Sequence, residues 1–156
     1  MTVLSGKTIR RLGIITPHHD RTVVNGMTYG ESLCGYDIRA KERLWVTQGA
    51  PFQLLSSIEY FNLPKNVMGV VHDKSSRARE GLAVQNTVLE PGWKGFLTLE
   101  VTNHSRDGLS ADPGHPIAQV VFHYVDEETK GYKGKYQNQP DRPVEALYEY
   151  PRSIHE

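Results

Sequence analysis

The chain has 156 residues, with 18 Lys and Arg against 18 Asp and Glu, so its formal charge is zero. That length predicts one domain, residues 1–156, with a core large enough to stand without disulfides. The balanced charge excludes the basic face of an extended nucleic-acid binder but not a local cationic cluster for a small anion, and the single cysteine, Cys34, excludes an internal disulfide and reads as a reducing, cytoplasmic setting.

In chain order, MTVLSGKTIRRLGII lacks the apolar stretch and cleavage site of a secretion signal, so none is expected. The first dozen residues read as a short helix, with Ser5 as N-cap and Ile9, Leu12 and Ile14 as apolar positions. A polar loop, HHDRTVVNGMTYGES, follows. Beyond it the chain breaks into short strand-like runs: YDIRA, ERLWV, FQLLSS, GVVHD, LAVQN, FLTLEVTN and IAQVVFHYV. Gly and Pro punctuate them at Gly49, Pro51, Pro64, Gly81, Pro91-Gly92 and Pro113-Gly114, a pattern that predicts an all-β barrel or sandwich. No run approaches the ~18 apolar residues of a membrane helix, so no membrane partner is expected. From about Asp126 the chain turns polar, and 126–156 reads as a C-terminal arm with little core of its own.

Three places carry chemistry. In KSSRAREG, 74–81, Ser75 or Ser76 can cap a short helix that Gly81 ends. Lys74, Arg77 and Arg79 supply cations there, so the turn suits phosphate, and it equally suits a solvated basic cap. In GFLTLEVTN, alternation puts Leu97, Leu99 and Val101 on one face and Phe96, Thr98 and Glu100 on the other. If that second face lines a cleft, Glu100 is desolvated and becomes a general base; on an open face it is an ordinary wet glutamate. In LEPGWKG, Pro91 and Gly92 suit a tight turn, and Trp93 is either a flat surface for a base or a core residue. The arm segment GYKGKYQNQ, 131–139, offers Lys and Tyr donors to phosphates or is a plain polar tail. One cysteine cannot build the His/Cys ligand set of a zinc nucleobase deaminase. HExxH, GxxxxGK[ST] and GxSxG motifs are all missing from the sequence.

Ser75, Ser76 and Arg79 form an SSxxR element, and PGWKGFLTLE follows it. With GYDIRA upstream, PGHPIAQVVF downstream and GYKGKYQNQ in the arm, the chain resembles the dCTP deaminase family of the dUTPase-like superfamily, most strongly from Ser57 to Gln139. The resemblance implies a distorted β-barrel or jelly-roll subunit (β-clip, dUTPase-like) with a short N-terminal helix and few others. It implies a homotrimer with sites between subunits, and zinc-independent deamination of dCTP to dUTP and ammonia, a step toward thymidine nucleotides. Glu100 would be the general base, with Ser75 and Arg79 as further catalytic residues. The nucleotide set would be Lys74, Ser75, Ser76, Arg79, Gln85, Asn86, Glu90, Trp93, Tyr132, Lys135 and Gln139. No protein metal ligand is implied, because Mg²⁺ arrives held mainly by the triphosphate. One departure is plain: the stretch before PGW is about two residues shorter than the family pattern, and Gln85-Asn86 replaces its Thr-Ala pair. The alternatives are a dUTP diphosphatase, a bifunctional enzyme releasing dUMP and pyrophosphate, and a silent nucleotide-binding regulator on the same fold.

Overall fold

The computed structural model describes residues 2–150. Thirteen strands and two short helices follow one another. They are β1 (Thr2–Val3), α1 (Gly6–Arg11), β2 (Ile15–Thr16), β3 (Thr22–Val24), β4 (Met27–Glu31), β5 (Tyr36–Arg39), β6 (Leu44–Val46) and β7 (Phe52–Asn62), then β8 (Val67–Asp73), α2 (Ser75–Arg79), β9 (Leu82–Val84), β10 (Val88–Leu89), β11 (Lys94–Asn103), β12 (Leu109–Ala111) and β13 (Pro116–Tyr124). The expected all-β class holds, and each of the seven strand-like runs contains a strand. The first helix also starts as expected: Ser5 lies in extended backbone and its side chain accepts the Thr8 N–H. Strands β2, β3 and β4 were not legible, because their segment is polar and short of a repeating alternation.

All the strand pairs are antiparallel, in a seven-stranded sheet ordered β10-β8-β13-β5-β4-β3 with β1 also on β13, a four-stranded sheet ordered β2-β7-β11-β9, and the pair β12-β6. The sheets curl around one core that includes Ile38, Leu55, Phe61, Leu97, Leu99, Val101, Ile117 and Phe122. Burying each such aliphatic or aromatic side chain contributes about 1.5–3 kcal/mol, which is what holds the short strands together. Strand β13 lies between β8 and β5, and Pro116, Ile117 and Ala118 are buried in succession there. Such a run is the mark of a strand covered on both faces rather than one.

Three buried polar groups are paired. The Lys74 ammonium lies 2.6 Å from Asp37, which also accepts from Gln119 at 3.2 Å. Glu59, fully buried, accepts from the main-chain and side-chain nitrogens of Arg39 at 2.9 and 2.8 Å. Arg77 is buried too, donating to the Pro116 carbonyl at 3.2 Å and to Glu80 at 2.9 Å.

Beyond β13 the arm from Asp126 to Tyr150 has no helix and no strand of its own. It does not hang free, however. The Thr129 N–H donates to Lys65, the Tyr132 N–H to Pro91 and the Asn138 N–H to Lys94, while Gln139 bridges Gly95 in parallel. Gly92 makes this docking possible. It is the third residue of a turn closed by the Trp93 N–H to the Glu90 carbonyl, its φ is +80°, and a Cβ there would lie 2.8 Å from the Gly131 Cα. The expected arm of 126–156 is therefore docked from 129 through 147; residues 151–156 lie outside the described residues.

Candidate active site

Strand β11 carries the site. Glu100 sits opposite Leu54 of β7, and its side chain enters a cavity of about 770 Å³. That volume is in the range of small-molecule pockets. Phe52, Leu54, Val88, Leu89 and Trp93 form much of its apolar wall. Burial by these groups raises the Glu100 carboxyl above its ordinary value of 4.5, and the residue's own backbone N–H offsets part of the rise. The second face of β11 therefore lines a cleft, and Glu100 is desolvated rather than an ordinary wet glutamate. One detail of that alternation fails. The β7–β11 register shifts between Phe96 and Thr98, and the Leu97 N–H is satisfied by the buried Ser57 hydroxyl at 2.8 Å. Leu97 lines the cavity with Thr98 and Glu100, whereas Phe96 leaves the expected face to pack edge-on against Tyr60.

Of the residues expected around a nucleotide, Glu90, Trp93, Tyr132 and Gln139 line this cavity with Glu100. Trp93 resolves both of its readings. It is buried against Phe61 with ring centroids 6.1 Å apart, while its indole N–H donates to the Tyr136 carbonyl at 2.7 Å. It is thus core, cavity wall and anchor for the arm. Lys135 is exposed, with its ammonium 5.4 Å from the Tyr136 ring centroid. Gln85 and Asn86 are exposed and do not line the cavity; from that shortened segment Thr87 does. Sequence counting from Glu90 passed over Thr87 because the pairing of Val88 and Leu89 with β8, which fixes where the loop ends, is a tertiary fact.

The basic turn needs two corrections. Neither Ser75 nor Ser76 caps α2. Lys74 is the cap residue and makes no side-chain cap bond, having no acceptor to offer. Its ammonium is buried and paired with Asp37 inside the fold, rather than presented to solvent with Ser75, Ser76 and Arg79. Ser75, Ser76 and Arg79 are exposed, and the helix ends as expected, with Gly81 at φ +96°. None of the three serves the Glu100 cavity of the same chain. The next strand, β9, starts at Leu82 opposite Asn103, and Gly81 accepts the His104 N–H, so α2 lies beyond the Asn103 end of β11. Three residues along a strand is roughly 10 Å from Glu100. Among the described residues, the cavity wall holds carboxylates at Glu90, Glu100 and Glu145 but no Lys or Arg.

Sequence reasoning missed Tyr136, Val144, Glu145 and Ala146, which also line the cavity. Tyr136 had a signal within GYKGKYQNQ. The other three had none, since nothing in PVEA announces a return to the site. Among the described residues no group of three or more His, Cys, Asp or Glu is arranged to hold a metal ion.

The antiparallel fold of curled sheets with few short helices is of the dUTPase-like class, as its structural neighbours show. A mutant dUTPase from phage phi11 of S. aureus, described with a structural Mg(II) ion, superposes with a TM-score of 0.52 at 11% identity, over 75% of this chain and 93% of that one. The dCTP deaminase from Agrobacterium tumefaciens superposes with a TM-score of 0.62 at 14% identity, over 78% of this chain and 48% of that one. The family model described as dCTP deaminase-like matches residues 3–125. The dCTP deaminase of Acidobacterium capsulatum is 32% identical over 175 aligned positions, which cover 89% of this chain and 96% of the relative. The chain belongs to the dCTP deaminase family, and is a deaminase enzyme.

Proposed function

We propose that the chain hydrolyses dCTP to dUTP and ammonia without zinc, with Glu100 as general base. The observation that carries this reading is a lone strand carboxylate raised by burial inside a cavity walled by Trp93, Tyr132 and Tyr136. A raised carboxyl is suited to take a proton and give it back near neutral pH. In the reaction, water adds to C4 of cytosine as Glu100 takes its proton. The proton returns to the departing side, the C4–N4 bond breaks, and N4 leaves as ammonia while C4 becomes a carbonyl. Atoms balance as one water in and one ammonia out. The aromatic walls would stack the base and exclude bulk water.

A triphosphate needs cations, and this cavity has none on its own wall. Exposed Ser75, Ser76 and Arg79 on α2 supply a hydroxyl pair and a guanidinium with no task in their own subunit's cavity. A homotrimer in which α2 of one copy meets the Glu100 cavity of the next accounts for both. Exposed Phe52 and Val88 at the cavity wall favour such a contact, since a neighbour would cover them. Lys135 and Gln139 on the arm then complete the nucleotide contacts. Among the described residues no cluster of His, Cys, Asp or Glu is built to hold a metal ion, and Mg²⁺ would be held mainly by the phosphates of the substrate. A cytoplasmic setting accords with one exposed cysteine; among the described residues no helix is long and apolar enough to cross a membrane.

Incubation with dCTP or dUTP and Mg²⁺, followed by assay of ammonia and pyrophosphate, tests this directly. Ammonia from dCTP with no pyrophosphate is expected. Pyrophosphate from dUTP without ammonia from dCTP would establish the diphosphatase instead, and binding with neither product would establish the silent regulator.

A further inference from the structure

The arm is held in two different ways along its length. Up to Gln139 the ties are largely main-chain: the Thr129, Tyr132 and Asn138 N–H groups donate to the body, and the Phe96 N–H donates to the Gln139 carbonyl at 3.1 Å. Past Pro140, among the described residues, side chains take over. Lys41 pairs with Asp141 at 2.5 Å with both groups well exposed, a contact of small worth in water. The Leu147 N–H donates to the Tyr136 hydroxyl at 2.9 Å. The interior tie is Thr98. Its hydroxyl donates to the Gln139 side-chain carbonyl at 2.9 Å and accepts the Val144 N–H at 3.0 Å. Thr98 is 6% exposed, so water does not readily replace either bond.

Thr98 stands two residues before Glu100 on β11, and both side chains reach the same cavity. Val144, Glu145 and Ala146 form part of that cavity's wall, and the bond from Val144 to Thr98 ties them directly to β11. We propose that Thr98 is a positioning residue: its hydroxyl latches residues 140–147 as a strap across the Glu100 cavity, closing the wall against which the substrate seats. The meaning for catalysis rests on the deaminase reading; the latch itself does not. Two features make the hydroxyl specific to this task. An apolar side chain of the same shape would fill the strand position equally well, and both hydrogen-bonding capacities of Thr98 are spent on the arm rather than on its own sheet.

The test uses the full chain with Thr98→Val, which keeps the β-branched shape, and Thr98→Ser, which keeps the hydroxyl. Without nucleotide, chymotryptic cleavage after Leu147 and amide exchange at Leu147 read the strap, away from the bond that is deleted. With dCTP and Mg²⁺, KM and kcat are read separately. Thr98→Val should speed cleavage and Leu147 exchange about tenfold and raise KM about tenfold, with a smaller fall in kcat, as expected for a lost internal hydrogen-bond pair. Thr98→Ser should restore both to within about threefold. Wild-type protection of Leu147 in Thr98→Val would overturn the latch, as would a fall in kcat with KM unchanged, which would mean damage to the Glu100 strand alone. A wild-type chain that leaves dCTP intact would overturn the deaminase reading, while the cleavage and exchange comparison would still decide the latch.

Discussion

At the scale of the residue, Glu100 combines a cost to the fold with a use in chemistry. Its carboxyl is raised above 4.5 because the cavity disfavours its charge. A group with a raised folded-state value contributes stability that is fully present below its unfolded value and lost as pH rises through the folded one. Glu100→Gln should therefore melt higher than wild type at pH 7 and no higher at pH near 4, read by thermal denaturation at the two pH values. The same substitution should lower turnover about 10²–10⁴-fold while leaving nucleotide binding in place, because it removes only the base. The acid limb of the wild-type kcat/KM profile should fall above 4.5, since the working form is the carboxylate. A second residue-scale expectation concerns Lys74. Replacing it with Met strands a buried Asp37 carboxylate and should destabilise by about 3–5 kcal/mol in urea titration. An effect on dCTP affinity alone, without loss of stability, would return Lys74 to the phosphate site.

At the scale of the element, α2 and the arm are where local reading and folded structure part. The eight residues of KSSRAREG announce a short helix closed by glycine, and that is what forms. What they do not announce is which cation faces inward. Lys74 and Arg77 are buried because Asp37, Glu80 and the Pro116 carbonyl are there to receive them, leaving Arg79 outside. Gly81 is fixed by geometry as well as conformation: a Cβ would lie 2.9 Å from the Ser105 nitrogen. Gly81→Ala should cost on the order of 1–3 kcal/mol and reduce activity by displacing Arg79. The arm separates in the same way. Deletion from Pro140 should leave melting nearly unchanged and weaken dCTP binding. Deletion from Gly131 should also lower stability, by about 1–3 kcal/mol, because the buried Trp93 indole loses its acceptor at Tyr136.

At the scale of the whole molecule, the separation of cations from the Glu100 cavity makes an assembly-level prediction. If α2 of one copy serves the cavity of another, Glu100→Gln and Arg79→Ala chains, each nearly inactive alone, should complement when refolded together. With equal amounts of the two chains assembling at random, about one quarter of all sites would hold an intact pair, so roughly a quarter of wild-type activity should return. Sedimentation should give a trimer with and without nucleotide. No recovery from a mixed trimer would place the phosphate contacts within one chain. A strong chelator should slow the reaction and Mg²⁺ alone should restore it, and purified protein should hold no stoichiometric zinc.

By itself the sequence determined the fold class, the first helix with its Ser5 cap, the turn at Pro91-Gly92 and the strand carrying Glu100. These depend on neighbours a few residues apart: alternation, caps and turn chemistry act locally, so they are written locally. Only the tertiary structure decided that Glu100 is desolvated, since Phe52, Leu54, Val88 and Leu89 reach it from β7 and β10. It alone decided that Lys74 faces Asp37, that Thr87 rather than Gln85 or Asn86 meets the cavity, and that residues 144–146 return to it. Charge burial and cavity shape arise from groups that are distant in the chain and adjacent only in the fold, and no local pattern encodes which of them will meet.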